Sequence, residues 1–120
     1  RRRHAQWYFD RLTAISPEDL VLPSETVPDG RHIYNQFTVR VKKGRRDALQ
    51  AHLKGLGIGS AVYYPIALHE QPCFAYLGYS KGDFPESERF AAEILALPIY
   101  PELTRPMQDA VVEQVLAFVK

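Results

Sequence analysis

The sequence predicts an α+β domain in which a small, three-stranded, mostly antiparallel sheet carries helices packed on one face. Three short segments with strand character alternate with four segments of helical periodicity. The strands are too few and too short for a large doubly wound sheet. The 120 residues fit one compact domain, and the 46% of apolar residues are enough for its core, so we expect a single domain over residues 1–120.

The first predicted helix covers residues 1–16, where apolar side chains recur at helical spacing until Ser16-Pro17 ends the pattern. Trp7 falls on the opposite side of this helix. It either lies flat on the surface or marks the contact of a neighbour that is not in the sequence. Residues 17–31 hold three prolines and read as an extended connector.

The stretch HIYNQFTVRV, residues 32–41, is the clearest strand. Alternation predicts an apolar face in which Asn35 is the single polar member, made of Ile33, Asn35, Phe37, Val39 and Val41. The opposite face is a row of hydrogen-bonding groups, made of His32, Tyr34, Gln36, Thr38 and Arg40. That row is either a contact surface or an ordinary solvated face.

The remaining elements follow from caps and turns. Residues 46–54 predict a helix, and IGSAVYYP, residues 58–65, predicts a second strand. A helical turn at residues 73–77 ends at Gly78.

The C-terminal third is predicted in the same way. Asp83 caps a helix that buries Ile94 and Leu95, and ALPIYP, residues 96–101, forms the third strand. Thr104 caps the last helix.

Composition excludes several classes of function. A net charge of +1 offers no strong field for nucleic acid or an acidic membrane, and we expect the Arg1–Arg3 run to be a solvated helix start. Cys73 is the single cysteine, so no intrachain disulfide can form, which suits a reducing compartment. With neither a stretch of roughly 18 apolar residues nor a signal-peptide pattern, we expect a cytoplasmic protein without a membrane span.

Ligand motifs are equally sparse. The histidines lack partners at zinc-ligand spacing, so no metal site is predicted. Alternating glycines at Gly55, Gly57 and Gly59 precede a strand and lack the lysine of a phosphate loop. Cys73 has no cationic neighbour in sequence and is predicted to be structural.

Two clusters of polar and aromatic residues remain. One is the polar strand face with His32, Tyr34 and Arg40; the other is the proline-bracketed loop from Tyr63 to Gln71, which contains His69. If the first two strands are neighbours, both clusters border one crevice. Such side chains suit a polyhydroxylated, anionic ligand, because hydroxyl groups need donors and acceptors while carboxylates and phosphates favour guanidinium groups.

Three separated stretches, HIYNQFTVR, RRDALQAHLKGLGIGSAVYYPIALHEQPCF and ESERFAAEILALPIYPELT, resemble the C-terminal domain of the DegT/DnrJ/EryC1/StrS aminotransferases. The likeness runs from about Arg2 to Val119. The loop is similar to the family pattern Tyr-Pro-x-Pro-Leu-His-x-Gln. Ala67 replaces its second proline, and Ala96 replaces a serine of the Leu-Ser-Leu-Pro motif.

The resemblance implies the small domain of a fold-type I enzyme. Members of that family use pyridoxal 5'-phosphate to move an amino group from L-glutamate to a dTDP- or UDP-linked keto-sugar, usually as homodimers with shared active sites. Residues 1–16 would form the last part of the helix that joins the two domains, and residues 31–119 would form the α/β core. The large N-terminal domain, with the cofactor and its Schiff-base lysine, would lie outside this chain, so neither catalytic nor cofactor-binding residues are expected here.

The resemblance also implies substrate contacts. His69 is the first of these by its position in the motif, with Glu70 beside it; Tyr34 and Asn35 follow, and Arg40 would bind an anionic group. From the residues alone, other interpretations stay open. His69 can be an idle loop imidazole, Asn35 a strand irregularity or a satisfied core amide, and Arg40 half of a surface ion pair.

Two other functions compete with the enzyme. One is a free-standing small-molecule-binding or regulatory module. The other is a protein-interaction domain that docks through Trp7 and the Arg1–Arg3 region.

Overall fold

The computed structural model describes residues 1–26 and 28–120, and its centre is a three-stranded sheet. The strands β1 (Leu20–Val21), β2 (Phe37–Val41) and β3 (Ile94–Leu97) lie in the order β1-β2-β3, and both neighbouring pairs are antiparallel. The predicted α+β class with a small antiparallel sheet is therefore confirmed.

The central strand β2 separates an apolar face from a polar one. Its odd-numbered residues Phe37, Val39 and Val41 are buried, while the residues between them are half-buried. Phe37 lies opposite Leu97 and Val39 opposite Leu95 in the register, so both strands add apolar side chains to the same face. This face forms the sheet side of the core.

Four α-helices accompany the sheet: α1 (Arg2–Leu12), α2 (Arg46–Gly55), α3 (Pro85–Glu93) and α4 (Arg105–Val119). Helix α4 contacts both α1 and α2, and these three helices cover the apolar face with side chains such as Tyr8, Leu53 and Val112, all fully buried. Two short 3-10 helices, Leu68–Glu70 and Pro72–Leu77, lie in the long connection between α2 and α3. Each helix among the described residues is too short or too polar to cross a lipid bilayer.

Trp7 has its partners inside the chain. Its indole N–H donates a hydrogen bond to Asp109 on α4 at 3.1 Å, and the Arg105 guanidinium lies 3.6 Å from the ring centroid. Arg11 lies 5.1 Å from the same centroid. The Trp7 side of α1 therefore packs against α4, and a cation–π contact of this kind contributes to stability.

One predicted strand does not form, and one strand of the sheet was not predicted. Residues 58–65 do not form a strand, since they pair with the sheet only through a single bridge between Ala61 and Ala96. The first strand is instead Leu20–Val21, within the stretch predicted as a connector. Whether a segment forms a strand depends on a pairing segment elsewhere in the chain, and the local sequence pattern does not identify that segment.

The third strand begins earlier than predicted, at Ile94 rather than residue 96. Helix α3 ends at Glu93, where the guanidinium of Arg46 donates hydrogen bonds to the carbonyls of Ala91 and Ile94, at 3.0 and 3.1 Å. The bond to Ala91 satisfies a carbonyl at the C-terminal end of α3, and the chain pairs with β2 from Ile94 onward.

The segment before β2 breaks the predicted alternation. Tyr34 has a positive φ of 50°, its amide donates to His32 Nδ1 at 2.9 Å, and the two rings stack 4.2 Å apart. This turn buries Tyr34 and leaves Ile33 67% exposed, the reverse of the prediction. Asn35 is also exposed rather than in the apolar face.

The helix caps were predicted with mixed success. Thr104 caps α4 by accepting a hydrogen bond from the Met107 amide at 3.5 Å, as predicted. Asp83 does not cap α3: Phe84 is the residue before that helix, and the Asp83 carboxylate accepts from the Ser80 amide at 2.7 Å. Gly78 ends the second 3-10 helix with a left-handed φ of 76°, as predicted.

Candidate functional site

The connection between α2 and α3, together with α3 and the start of β3, lines an open cavity of about 780 Å³. Its walls are mostly aromatic and aliphatic, with His69 as one of few polar groups; the aromatic lining residues are Tyr64, Phe74, Tyr79, Phe84 and Phe90. A concave apolar surface with a few polar groups is typical of small-molecule sites. The cavity contains the loop histidine that the sequence singled out.

The imidazole of His69 is held from one side. Its Nε2 lies 2.9 Å from Glu88 Oε1, and its ring centroid lies 4.9 Å from that of Phe84. Only 6% of the His69 side chain is exposed. Glu88 Oε1 also accepts from the Gly82 amide at 2.6 Å. The bond from Gly82, together with the contact to His69, outweighs the effect of burial and lowers the pKa of Glu88.

Glu70, the second predicted contact, is exposed at the end of the first 3-10 helix. One ring nitrogen of His69 and one carboxylate oxygen each of Glu70 and Glu88 lie within 4.8 Å of one another, a donor set that divalent cations accept. The sequence did not predict a metal site because Glu88 lies 19 residues after His69, in another element. The hydrogen bond between His69 and Glu88 accounts for their approach without a metal ion.

Asn35 lies at a second, smaller cavity of about 280 Å³, whose lining also includes Gln36, Ser60 and Tyr63. Ser60 Oγ is the one fully buried side-chain polar atom without a hydrogen-bond partner in the part of the chain that the structure describes. The side-chain Oδ1 of Asn35 accepts a hydrogen bond from the Arg1 guanidinium at 3.0 Å. This cavity therefore holds several polar groups that sequence analysis placed on different elements.

The dipeptide Tyr63-Tyr64 connects the two cavities. Tyr63 lines the cavity of Asn35, and Tyr64 lines the cavity of His69. Both rings are more than half exposed. The two neighbouring rings therefore lie on opposite sides of this segment, one in each cavity.

Tyr34 lies elsewhere, against α1. Its hydroxyl donates to Glu25 at 3.2 Å, and it lines a third cavity of about 200 Å³ with Arg2 and Phe9. Burial and the hydrogen bond to Glu25 raise the pKa of the Tyr34 phenol. The positive φ at Tyr34 explains this position, because it turns the side chain toward the core.

Arg40 is engaged by an acidic partner. Its Nη2 lies 2.7 Å from Glu93 Oε2, while Lys42 Nζ lies 2.8 Å from Glu93 Oε1. The guanidinium also lies over the ring of Phe90, 4.4 Å from its centroid, and that ring lines the His69 cavity. Burial would raise the pKa of Glu93, but the two cations more than offset it and hold that pKa below its ordinary value.

The five predicted contacts therefore do not line one crevice formed by two neighbouring strands. His69 lines the large cavity, Asn35 the second and Tyr34 the third. Glu70 lies beside His69 without lining that cavity, and Arg40 reaches it through Phe90. The physical reason is that the predicted second strand is a loop. A loop can separate side chains that a strand would have aligned.

The ion-paired carboxylate of Glu93 should make stability depend on pH. Because its pKa is lowered on folding, its contribution is complete above the ordinary glutamate pKa and is lost as pH falls through the lowered value. We expect Glu93→Gln to lower the free energy of unfolding at pH 7. The variant should also show a smaller difference in the free energy of unfolding between pH 7 and pH 3. Urea unfolding at both pH values measures this, with the exposed Glu113→Gln as control. An unchanged pH dependence in Glu93→Gln would contradict the assignment.

The sequence of this chain matches a known protein family. The profile of the DegT/DnrJ/EryC1/StrS aminotransferase family matches residues 1–116. The chain belongs to the DegT/DnrJ/EryC1/StrS aminotransferase family. The resemblance found in the sequence motifs is thus confirmed.

Relatives within the DegT/DnrJ/EryC1/StrS family carry different names. The chain is 47% identical over 118 residues, or 98% of its length, to a pleiotropic regulatory protein of Geobacillus stearothermophilus. It is 40% identical over 104 residues, or 86% of its length, to the UDP-N-acetyl-3-dehydro-alpha-D-glucosamine 3-aminotransferase of Acidithiobacillus ferrooxidans. The chain spans 31% and 26% of the lengths of these two relatives.

Solved structures in the family share the fold. The crystal structure of DesV from S. venezuelae, in complex with a ketimine intermediate, matches with a TM-score of 0.90 and 34% sequence identity. The match covers 99% of this chain and 31% of DesV. The three-stranded sheet and its helices therefore share their fold with about a third of the DesV chain.

Proposed function

We propose that this chain is the C-terminal small domain of a pyridoxal-phosphate-dependent aminotransferase. The complete enzyme would transfer the amino group of L-glutamate to a dTDP- or UDP-linked keto-sugar, for cell-surface polysaccharide or a secondary metabolite. The observation that carries the proposal is the match of 99% of this chain to 31% of DesV, a structure that holds a ketimine intermediate. The name of the Acidithiobacillus relative, a 3-aminotransferase of a UDP-linked sugar, supports the substrate class.

The residues of this chain do not themselves fit a pyridoxal-phosphate site. Such a site needs a lysine that forms a Schiff base with the cofactor. Lys42 and Lys43 are ion-paired with Glu93 and Asp19, and within the described residues no lysine lines the cavity of His69 or that of Asn35. We therefore assign the cofactor and the catalytic lysine to another part of the polypeptide.

The contribution of this chain is substrate contact. His69 lines a cavity large enough for a sugar, and Glu70 adds an exposed carboxylate beside it. Asn35 and Tyr63 offer polar groups from the adjacent cavity, where Ser60 has an unsatisfied hydroxyl. Sugar hydroxyls require such mixed donors and acceptors.

Arg40 is proposed to favour an anionic substrate group. Arg40 and Lys42 bring two positive charges to the single carboxylate of Glu93, so the cluster keeps one net positive charge. An excess positive charge beside an apolar cavity attracts phosphate or carboxylate groups. Tyr34 is proposed to act through the shape of the loop before β2, since its hydroxyl is already bonded to Glu25.

The exposed apolar side chains of residues 63–90 are proposed to pack on the large N-terminal domain and, in a homodimer, on the second subunit. Leu68, Tyr64 and Tyr76 are 60%, 61% and 80% exposed. So many exposed large apolar side chains in one segment indicate a surface that a partner covers. The relatives are about three times as long as this chain, so they contain a domain of sufficient size.

The proposal is tested by comparing the 120-residue chain with the longer polypeptide of the same gene. We expect the chain alone, mixed with pyridoxal phosphate, to show neither transamination nor a stoichiometric Schiff-base band after borohydride reduction and mass spectrometry. The longer polypeptide should convert the cofactor to its amine form with L-glutamate. A Schiff base in the 120-residue chain that one lysine substitution abolishes would overturn the proposal. A reading frame that lacks any cofactor domain would instead favour a free-standing binding module.

A further inference from the structure

We infer that Glu88 is the positioning residue for His69: it holds the imidazole as the Nε2–H tautomer, so that Nδ1 is offered to the substrate as a hydrogen-bond acceptor. This inference deepens the proposed function and rests on it for the identity of the ligand. The coupling between the two side chains can be tested independently of any enzyme activity.

The first step is the state of the Glu88 carboxylate. Glu88 lies in the first turn of α3, and its Oε1 accepts from the Gly82 amide at 2.6 Å. A helix N-terminus and a backbone N–H donor both favour the ionised form, in agreement with the lowered pKa of Glu88. An ionised carboxylate can only accept hydrogen bonds. The His69 Nε2 at 2.9 Å must therefore carry the proton that the pair shares.

The second step concerns the other ring nitrogen. In a neutral imidazole, protonation of Nε2 leaves a lone pair on Nδ1. Within residues 1–26 and 28–120, the bond to Glu88 is the only hydrogen bond of the His69 ring. Nδ1 is not among the fully buried polar atoms that lack a partner, so it reaches the cavity or solvent. It is available to accept from a sugar hydroxyl or an N–H group.

The third step is the fixed orientation of the ring. Phe84 packs against it with a centroid distance of 4.9 Å and an interplanar angle of 60°, and Tyr79 in turn packs on Phe84 at 4.9 Å. With 6% of the His69 side chain exposed, these contacts restrict the rotation of the imidazole. A group fixed before binding loses less entropy when the ligand arrives. The orientation of His69 Nδ1 is thus fixed by the side chains of Glu88, Phe84 and Tyr79.

Nitrogen-15 NMR of the histidine-labelled 120-residue chain at pH 8 tests the tautomer. We expect His69 to show a protonated Nε2 and an unprotonated Nδ1, and we expect Glu88→Gln to produce a mixture, because an amide offers both a donor and an acceptor. The control is Glu113→Gln, which changes an exposed glutamate of α4 that lines none of the described cavities and should leave the spectrum of His69 unchanged. A protonated Nδ1 in the unchanged chain, or the same tautomer in Glu88→Gln, would overturn the inference.

Half-reaction kinetics of the longer aminotransferase test the substrate role. We expect Glu88→Gln to lower kcat/KM for the nucleotide sugar by about 10–100-fold, the range seen when a partner that orients an imidazole is removed. The half-reaction with L-glutamate and the kinetics of Glu113→Gln should be nearly unchanged. A tautomer change without any kinetic effect would reject the substrate role of the pair. A longer polypeptide without transaminase activity would reject the proposed function and leave the NMR result valid.

Discussion

Replacing Phe37 by alanine is expected to lower the free energy of unfolding by about 3–5 kcal/mol. Phe37 begins the central strand and is fully buried. Its ring lies 4.9 Å from that of Tyr8 and 5.3 Å from that of Phe9, so it joins the sheet to α1. Truncation would remove this apolar contact and leave a cavity that α1 and the sheet cannot close. Such a loss is a large fraction of the roughly 5–15 kcal/mol that stabilises a typical domain.

The matched control is Ile33→Ala. Ile33 and Phe37 share a face in the alternation of residues 32–41, and sequence alone predicts that both are buried. In the structure Ile33 is 67% exposed, so we expect its truncation to cost less than about 0.5 kcal/mol. Urea unfolding with an unchanged m-value measures both variants. Equal losses would mean that the strand extends through residue 33 and that the turn at Tyr34 is wrong.

Replacing His69 by alanine is expected to lower sugar-nucleotide turnover in the longer aminotransferase by about 10–100-fold. One hydrogen bond to a bound substrate contributes on the order of 1–3 kcal/mol, and 1.4 kcal/mol corresponds to a factor of ten. The half-reaction with L-glutamate should change much less, because His69 is proposed to contact the sugar. Stopped-flow measurement of the two half-reactions separates these effects.

The control for this experiment is His52→Ala. His52 lies on α2, where it contacts Gln114 at 3.2 Å and the ring of Phe118, and it lines none of the described cavities. We expect both half-reactions to be unaffected in this variant. Equal losses of the two half-reactions in His69→Ala would reject the sugar contact and indicate a general structural role for the loop.

The comparison of His69→Ala with Glu88→Gln separates binding from orientation. Removing the imidazole deletes the contact, while changing Glu88 keeps the imidazole and alters which nitrogen carries its proton. We expect the double variant to lower sugar-nucleotide turnover little more than His69→Ala alone does, because both changes act on one interaction. An additive double variant would mean that Glu88 acts on the substrate independently of His69.

Several features of this protein follow from the sequence alone. The periodicity of residues 46–54 predicted α2, and the hydroxyl of Thr104 predicted the start of α4. Both depend on side chains within a few positions of each other, where helical spacing and capping are local effects. The α+β class and the family also followed, because separated motifs keep their order along the chain.

The tertiary structure decided the parts that depend on distant partners. Arg46 donates a hydrogen bond to the Ala91 carbonyl at the end of α3 from 45 positions away. The packing of Tyr34 against Phe9 and Phe37 reverses the predicted burial of residues 33–35. The partner of His69 is Glu88, 19 residues further on. A sequence pattern indicates the local periodicity of a helix or strand. Strand register and side-chain pairing instead depend on which segments contact each other in the fold. For that reason the loop histidine could be found in the sequence, and the carboxylate that orients it could be found only in the folded chain.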